Sequence, residues 1–301
     1  EMKIVGNAKT FTLIKQFFGT GALSEERMLE VGERDTLSLG LHRLRFLLAP
    51  MVHWPEVMVT YDATDKILFS ADAFGTYGAL DGAVLDVDMN LDHYWDEMRR
   101  YYANIVGKYG NPVQKALQKL SGLEIKTICS THGPVWTKYI PDVIKIYDQL
   151  SRYEGQDGVV IVYGSMYGNT EQMAEAIASS LAEHGVKNIV MHNVSKSHAS
   201  YILKDIFKYK AVIIGCPTYS NQLYPEIDSL LQKIEVREVK NRLFGYFGSF
   251  SWAGAAVKRL AAFGEKMNWE VVGAPVEQKQ GLKPDKYEAC WELGKAMAER
   301  I

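Results

Sequence analysis

"GVVIVYGSMYGNTEQMAEAIASSLAEHG", Gly158–Gly185, reads as one strand, one turn and one helix. Val159–Gly164 is an unbroken apolar run, the pattern of a strand covered on both faces. A helix is predicted from about Asn169 to His184. Toward the C-terminus the same unit recurs. "NIVMHNV" is a strand and "YILKDIFKY" a helix; "AVIIGCP" is a strand and Pro225–Ile234 a helix. "RLFGYFGSF" with Gly254–Met267, then "WEVVGAP" with Lys286–Ile301, complete the series. Five strands alternating with five helices predict a doubly wound parallel sheet.

Ligands of such sheets bind beyond the carboxyl ends of the strands. The loop after the first strand, Tyr163–Thr170, supplies Ser165, Met166, Tyr167, Gly168, Asn169 and Thr170 just ahead of a helix. Backbone N–H groups, hydroxyls and the helix dipole there suit a phosphate. The GxxxxGK[ST] spacing and its lysine are absent, and so is GxGxxG. A phosphate held without a cation suits a monophosphate that stays in place. The loop also reads as an ordinary strand–helix turn. Gly215–Pro225 brings Pro217, Thr218, Tyr219 and Asn221; Gly248–Ala256 brings Ser249, Phe250, Ser251, Trp252 and Gly254. One loop aromatic is more often packing. Aromatics on two loops, beside a phosphate loop at one end of one sheet, form a stronger pattern. The three loops resemble those of flavodoxins, over Val159–Ile301. That resemblance implies FMN, with its phosphate in the first loop and its isoalloxazine ring flanked by the other two, and it implies electron transfer.

The front half is less regular. Helical spacing covers Thr10–Phe18, Ala83–Ile105, Gln114–Leu120 and Pro141–Tyr153, and Ile125–Ser130 is a strand candidate. "YEGQDG", Tyr153–Gly158, is the linker, so the expected domains are 1–153 and 154–301. "EVMVTY" and "KILFSA" flank "DATD" as a hairpin. Pairing Tyr61 with Lys66 would set Asp72 opposite Pro55, about 5 Å away. His53 and Asp72 would then share one end of the hairpin. His132 follows another strand in "STHGPVW". Two imidazoles and a carboxylate on loops form a partial site for iron or zinc. Taken singly, each residue also reads as packing or turn capping. His42, His93, His184, His192 and His198 have no comparable setting.

The whole chain has 301 residues, a net charge of −2 and three cysteines without a CxxC pair. The charge gives no case for nucleic acid or an acidic membrane surface. No apolar run approaches the roughly 20 residues that span a bilayer. Cysteine usage points to a reducing cytoplasm. Residue 1 is Glu, and "MKIVGNA" already reads as a strand, so the first domain is expected to be the rear part of something longer.

"MVHWPEVMVTYD", "SADAFGTYGAL", "RRYYANIVGKYGNPVQKAL" and "STHGPVW", followed by the flavodoxin-like half, resemble the flavodiiron proteins over nearly the entire chain. These are also called A-type flavoproteins or rubredoxin:oxygen oxidoreductases. The resemblance implies an α/β architecture: a partial metallo-β-lactamase-like αββα domain, then the flavodoxin-like five-stranded sheet. It implies a diiron centre in which His53 ligates one iron, His132 the other, and Asp72 bridges them. It implies FMN passing electrons to that centre, which reduces O2 to water or NO to N2O. It implies a head-to-tail homodimer that brings the FMN of one subunit to the metals of the other, with Trp252 near them, and a rubredoxin-like donor. The family's other ligands lie upstream in an HxExDH motif, and no histidine here precedes His42. Three readings follow: a separate N-terminal fragment completes the site, the sequence is cut, or the site is inactive or holds one weakly bound metal. An FMN electron carrier with an incomplete metal site is the alternative function. A zinc hydrolase is a third, disfavoured by the flavodoxin-like half.

Overall fold

The computed structural model describes residues 2–301. The chain forms two compact units, one ending at Arg152 and the other running Tyr153–Ile301.

In the first unit β1 (Ile4–Gly6) pairs in parallel with β2 (Met28–Glu30), and α1 (Ala8–Phe18) connects them. Asn7 starts that helix: its side-chain oxygen accepts from the N–H groups of Lys9 and Thr10 at 3.0 and 3.2 Å. The main sheet runs β3 (Thr36–Ser38), β4 (Arg43–Leu48), β5 (Met58–Asp62), β6 (Ile67–Phe69) and β7 (Thr127–Cys129). Its first four strands are antiparallel, and β7 lies parallel to β6. Leu47, Val59, Tyr61, Leu68 and Ile128 follow one face by pairing and period, and all are buried. Three helices complete the unit: α2 (Asp92–Tyr101), α3 (Gly110–Leu120) and α4 (Ile140–Ser151).

Two expectations need correction here. Tyr61 pairs with Leu68, not Lys66, so the turn is four residues, Ala63–Lys66, with Lys66 left-handed at φ 62°. A slip of two keeps each side chain on its expected face. Asp72 lies in the loop beyond β6 rather than opposite Pro55. Helix over Ala83–Ile105 is also too long. Residues 86–88 form only a short 3-10 turn, α2 starts at Asp92, and a π-helical turn, Tyr102–Val106, ends the segment. Asp86 is unavailable for helix because its carboxylate serves elsewhere. It accepts the N–H groups of Thr137, Lys138 and Tyr139 at 2.9–3.0 Å, immediately ahead of α4.

The second unit alternates β8 (Gln156–Tyr163), α5 (Asn169–Glu183), β9 (Ile189–Asn193), α6 (Ala199–Lys208), β10 (Tyr209–Pro217), α7 (Pro225–Glu235), β11 (Leu243–Phe250) and α8 (Ala256–Met267). Then come β12 (Glu270–Val271), β13 (Val276–Lys279) and α9 (Pro284–Ala298). The sheet order is β9-β8-β10-β11-β12, all parallel, with β13 also on β11. The expected strand "WEVVGAP" forms only β12, and β13, which begins just beyond it, takes a second place on β11. Val159, Ile161, Ala211, Ile213 and Phe247 pack with Met173, Ile177 and Met297 at 0% exposure. Each large side chain of this kind contributes about 1.5–3 kcal/mol by burial, so Ile161→Ala would cost about 2–5 kcal/mol. Strand order reverses between β8 and β10, which opens a crevice outside their carboxyl ends.

Candidate functional site

In the first unit His53 sits at the tip of the loop joining β4 and β5. That loop closes on itself: the Ala49 N–H donates to Val57 O at 2.8 Å and the Met51 N–H to Trp54 O at 2.7 Å. Asp72 follows β6, and His132 follows β7. The two loops are sewn together by the Ser70 N–H on Cys129 O at 3.0 Å and the Thr131 N–H on Ala71 O at 2.9 Å. Gly133 permits the approach. Its φ is 82°, and a Cβ there would lie 2.4 Å from Thr76 Oγ1.

The three predicted residues come together. Asp72 Oδ2 lies 3.5 Å from His53 Nε2, and Asp72 Oδ1 lies 3.4 Å from His132 Nε2. Side-chain exposures of 25%, 24% and 50% for His53, Asp72 and His132 leave the group open on one side. Each imidazole faces a different carboxylate oxygen. Among the described residues, the one set of three such donors gathered within 4.8 Å is His42, Asp62 and Asp65, at the turn end of the hairpin. The His53–Asp72–His132 spread therefore suits a carboxylate lying between two ions better than a three-way chelate of one. Nitrogen and oxygen donors on loops fit iron or zinc, and they fill only part of either shell.

Sequence reasoning missed two neighbours, Thr131 and Tyr101, and one histidine elsewhere, His42. The Thr131 hydroxyl donates to Asp72 Oδ1 at 2.8 Å. The Tyr101 ring lies 5.6 Å from the His132 ring, and its buried hydroxyl has no protein partner. Burial, with the nearby Asp72 charge, pushes that phenol well above its ordinary value. His42, which had no assigned setting, places Nδ1 2.7 Å from Asp62 Oδ2. Thr131 adjoins His132 in sequence and could have been suspected. The burial of Tyr101 has no local signal.

In the second unit a cleft with about 310 Å3 of empty space opens at the β8–β10 crevice. Ser165, Met166, Tyr167, Asn169 and Thr170 line it from the first loop; Pro217, Thr218, Ser249, Phe250 and Ser251 line it from the other two. Helix α5 begins after left-handed Gly168 (φ 84°), and no side chain caps it. Its first N–H groups are thus left for a ligand. The Ser165 hydroxyl is buried without a protein partner. An uncapped helix start beside an orphaned hydroxyl fits a phosphate. Thr170 Oγ1 and Ser249 Oγ share a hydrogen bond of 2.9 Å that ties two of the loops.

Tyr219, Asn221, Trp252 and Gly254 lie outside that lining. Tyr219 is half-exposed and Trp252 is 86% exposed, so both rings are free to flank a ligand. Asn221 is left-handed beside left-handed Ser220 in a two-residue turn closed by Tyr219 and Gln222. That turn geometry favours asparagine without a ligand. Gly254 makes room for the Glu277 carboxylate, which a Cβ would meet at 2.5 Å. Thr218 Oγ1 accepts from the N–H groups of Ala255 and Ala256 at 3.0 and 3.1 Å, so this hydroxyl starts α8.

A lactamase-like unit with a His–Asp–His rim, followed by a flavodoxin-type sheet with an uncapped phosphate loop, defines a two-domain redox protein. Comparison with known proteins agrees. Residues 1–133 match the ODP family beta lactamase and residues 161–294 match Flavodoxin. The nitric oxide reductase of Moorella thermoacetica is 33% identical over 269 residues, covering 88% of this chain and 67% of the relative. The anaerobic nitric oxide reductase flavorubredoxin of Escherichia coli is 32% identical over 270 residues, and the chain spans 56% of its length. Rubredoxin oxygen:oxidoreductase from Desulfovibrio gigas superposes with a TM-score of 0.91 at 29% identity, covering 99% of this chain and 74% of that one. The flavodiiron protein of Giardia intestinalis superposes with a TM-score of 0.92 at 27% identity, covering 98% and 72%. The chain belongs to the flavodiiron protein family.

Proposed function

We propose that the chain is the flavin-binding and part of the metal-binding portion of an oxidoreductase that reduces O2 to water, NO to N2O, or both. The observation that carries the reading is Asp72 facing His53 with one oxygen and His132 with the other. In this reading His53, Asp72 and His132 would hold iron, and FMN would supply the reducing electrons. Thr131 fixes the Asp72 rotamer through its 2.8 Å hydrogen bond. Ser165 and the N–H groups at the start of α5 receive the FMN phosphate, Thr170 and Ser249 brace that pocket, and Tyr219 and Trp252 flank the ring.

The chain's exposed Trp252 and open metal rim suit a head-to-tail homodimer, in which the flavin of one subunit serves the metals of its partner. A rubredoxin-like protein or domain is the electron donor in this reading. Among the described residues no helix is long and apolar enough to cross a membrane.

Reconstitution with FMN and ferrous iron, followed by metal and flavin analysis, tests the reading. An iron-to-flavin ratio matching a dinuclear centre is expected, with loss of iron in Asp72→Ala. Flavin bound without iron would favour the electron-carrier reading, which the incomplete donor set around Asp72 supports. No uptake of FMN would defeat both. Trp252→Ala should alter the bound flavin's visible spectrum.

A further inference from the structure

Beneath the candidate metal residues, between β4, β5 and α3, lies a partly open apolar pocket; its space, with the adjoining solvent at its mouth, is about 430 Å3. Its wall includes Val52, next to His53, and Ala73 and Phe74, next to Asp72. The centre of a water-sized sphere can move through about 20 Å3 of it. That exceeds the ~10–15 Å3 needed to hold one such molecule.

Polar groups in the wall are already engaged. The Ser70 hydroxyl donates to Ala73 O at 2.9 Å, and the Tyr147 hydroxyl points to Gly75 O at 3.4 Å. The Lys119 ammonium donates to Glu33 Oε2 and Leu48 O, both at 2.7 Å. A water molecule needs two to four polar partners to remain in a site, and apolar cavities without them stay dry and take up xenon or benzene. A small apolar molecule gains dispersion contacts there.

We propose that this cavity binds an apolar diatomic gas and holds it under the His53 and Asp72 loops. The identity of the gas rests on the functional reading above; the cavity's affinity for small apolar molecules does not. Binding concentrates a sparingly soluble substrate beside the metal residues without a polar recognition group. Val52 and Ala73 form the short wall between the gas and the two ligand-bearing loops.

Methyl NMR of the metal-free protein under dioxygen, with nitrogen as the blank, tests the proposal. Paramagnetic O2 should broaden the methyl signals of Val52, Val113 and Leu117 more than those of exposed methyls such as Leu41. Xenon should shift the same signals saturably. Ala116→Phe fills the cavity and should abolish both effects, and Ala116→Leu should reduce them; an unchanged melting temperature establishes that each variant folds. In the loaded protein Ala116→Phe should raise KM for the gas several-fold at constant kcat. Wild-type methyls that respond to neither gas would overturn the proposal, as would an unchanged KM in a filled cavity. Wild-type protein that binds xenon but turns over neither gas would count against the functional reading alone.

Discussion

The Thr131 hydroxyl donates at 2.8 Å to Asp72 Oδ1, the oxygen that also faces His132 Nε2 at 3.4 Å. The same hydroxyl lies 3.2 Å from Ala71 O, so its rotamer is fixed by the loop. Without it, Asp72 can rotate away from both imidazoles. Thr131→Val keeps the shape and removes the donor. Its metal affinity should fall by about 10–100-fold, the usual effect of losing such an outer partner. Competitive titration with ferrous or zinc ion measures this, and equal affinities would show that Thr131 does not position Asp72.

The flavin pocket gives a prediction of opposite sign for stability and binding. The buried Ser165 hydroxyl has no protein partner, so removing it costs the empty protein nothing and relieves an unsatisfied polar group. Its hydrogen bond to a phosphate is of the charged kind, about 1.5–3 kcal/mol. Ser165→Ala should therefore weaken FMN about ten- to hundredfold while the flavin-free melting temperature holds or rises. Flavin fluorescence quenching and thermal melts give both numbers. A lower apo stability with unchanged affinity would make Ser165 a structural residue.

The rear sheet was legible because its strands are apolar runs with little else to do. Val159–Tyr163 and Ala211–Pro217 carry almost no polar residue, and both fall within strands. The candidate phosphate loop stood out for a related reason: serine, glycine, asparagine and threonine stand together before a helix. Other features depend on partners distant in sequence. Asp86 looks like part of a helix until its carboxylate is seen on residues 51–53 positions ahead. Thr218 lines the cleft, but its second task, accepting from the N–H groups that start α8, has no local signal. The hairpin register failed because Lys66 is left-handed at the end of the turn, a conformation usually advertised by glycine. The candidate metal residues stood out by type, and their convergence rests on loops whose paths no local pattern encodes.

Asp86 should also govern acid stability. Burial disfavours its charge. The Thr137 hydroxyl and the N–H groups of Tyr139, Thr137 and Lys138 outweigh that and hold the carboxyl below its ordinary value. Because the folded value is depressed, the unfolded chain binds more protons in the interval between the two. The stabilisation is complete above the unfolded value of about 3.9 and is lost as pH falls through the folded one. Asp86→Asn should melt lower than the wild type at neutral pH, and the gap should shrink on acidification below about pH 5. A gap that stays constant with pH would assign the cost to packing rather than charge.

Arg242 offers the sharpest stability test. It is 2% exposed, and its guanidinium meets carbonyls: Nε donates to Ile206 O at 2.8 Å, Nη1 to Tyr153 O at 2.7 Å and Nη2 to Phe207 O at 3.0 Å. Nη1 also reaches Lys240 O and Asn241 O at 2.8 and 3.1 Å. Burial draws its pKa down to about 10, so the group is still charged at neutral pH. The positive charge sits at the last turn of α6, where carbonyls lack helical partners and the dipole favours a cation. Arg242→Met keeps much of the apolar stem and removes every donor. Several buried carbonyls then lose their partner, at about 1–3 kcal/mol each before relaxation, so a loss above about 3 kcal/mol is expected. Arg242→Lys retains the charge but cannot span α6 and Tyr153 at once, and should fall between the two. Urea denaturation of the three proteins measures the order. A methionine variant as stable as the wild type would mean that water or a shifted backbone satisfies those carbonyls, and that the buried fork does not hold the start of the second unit to α6.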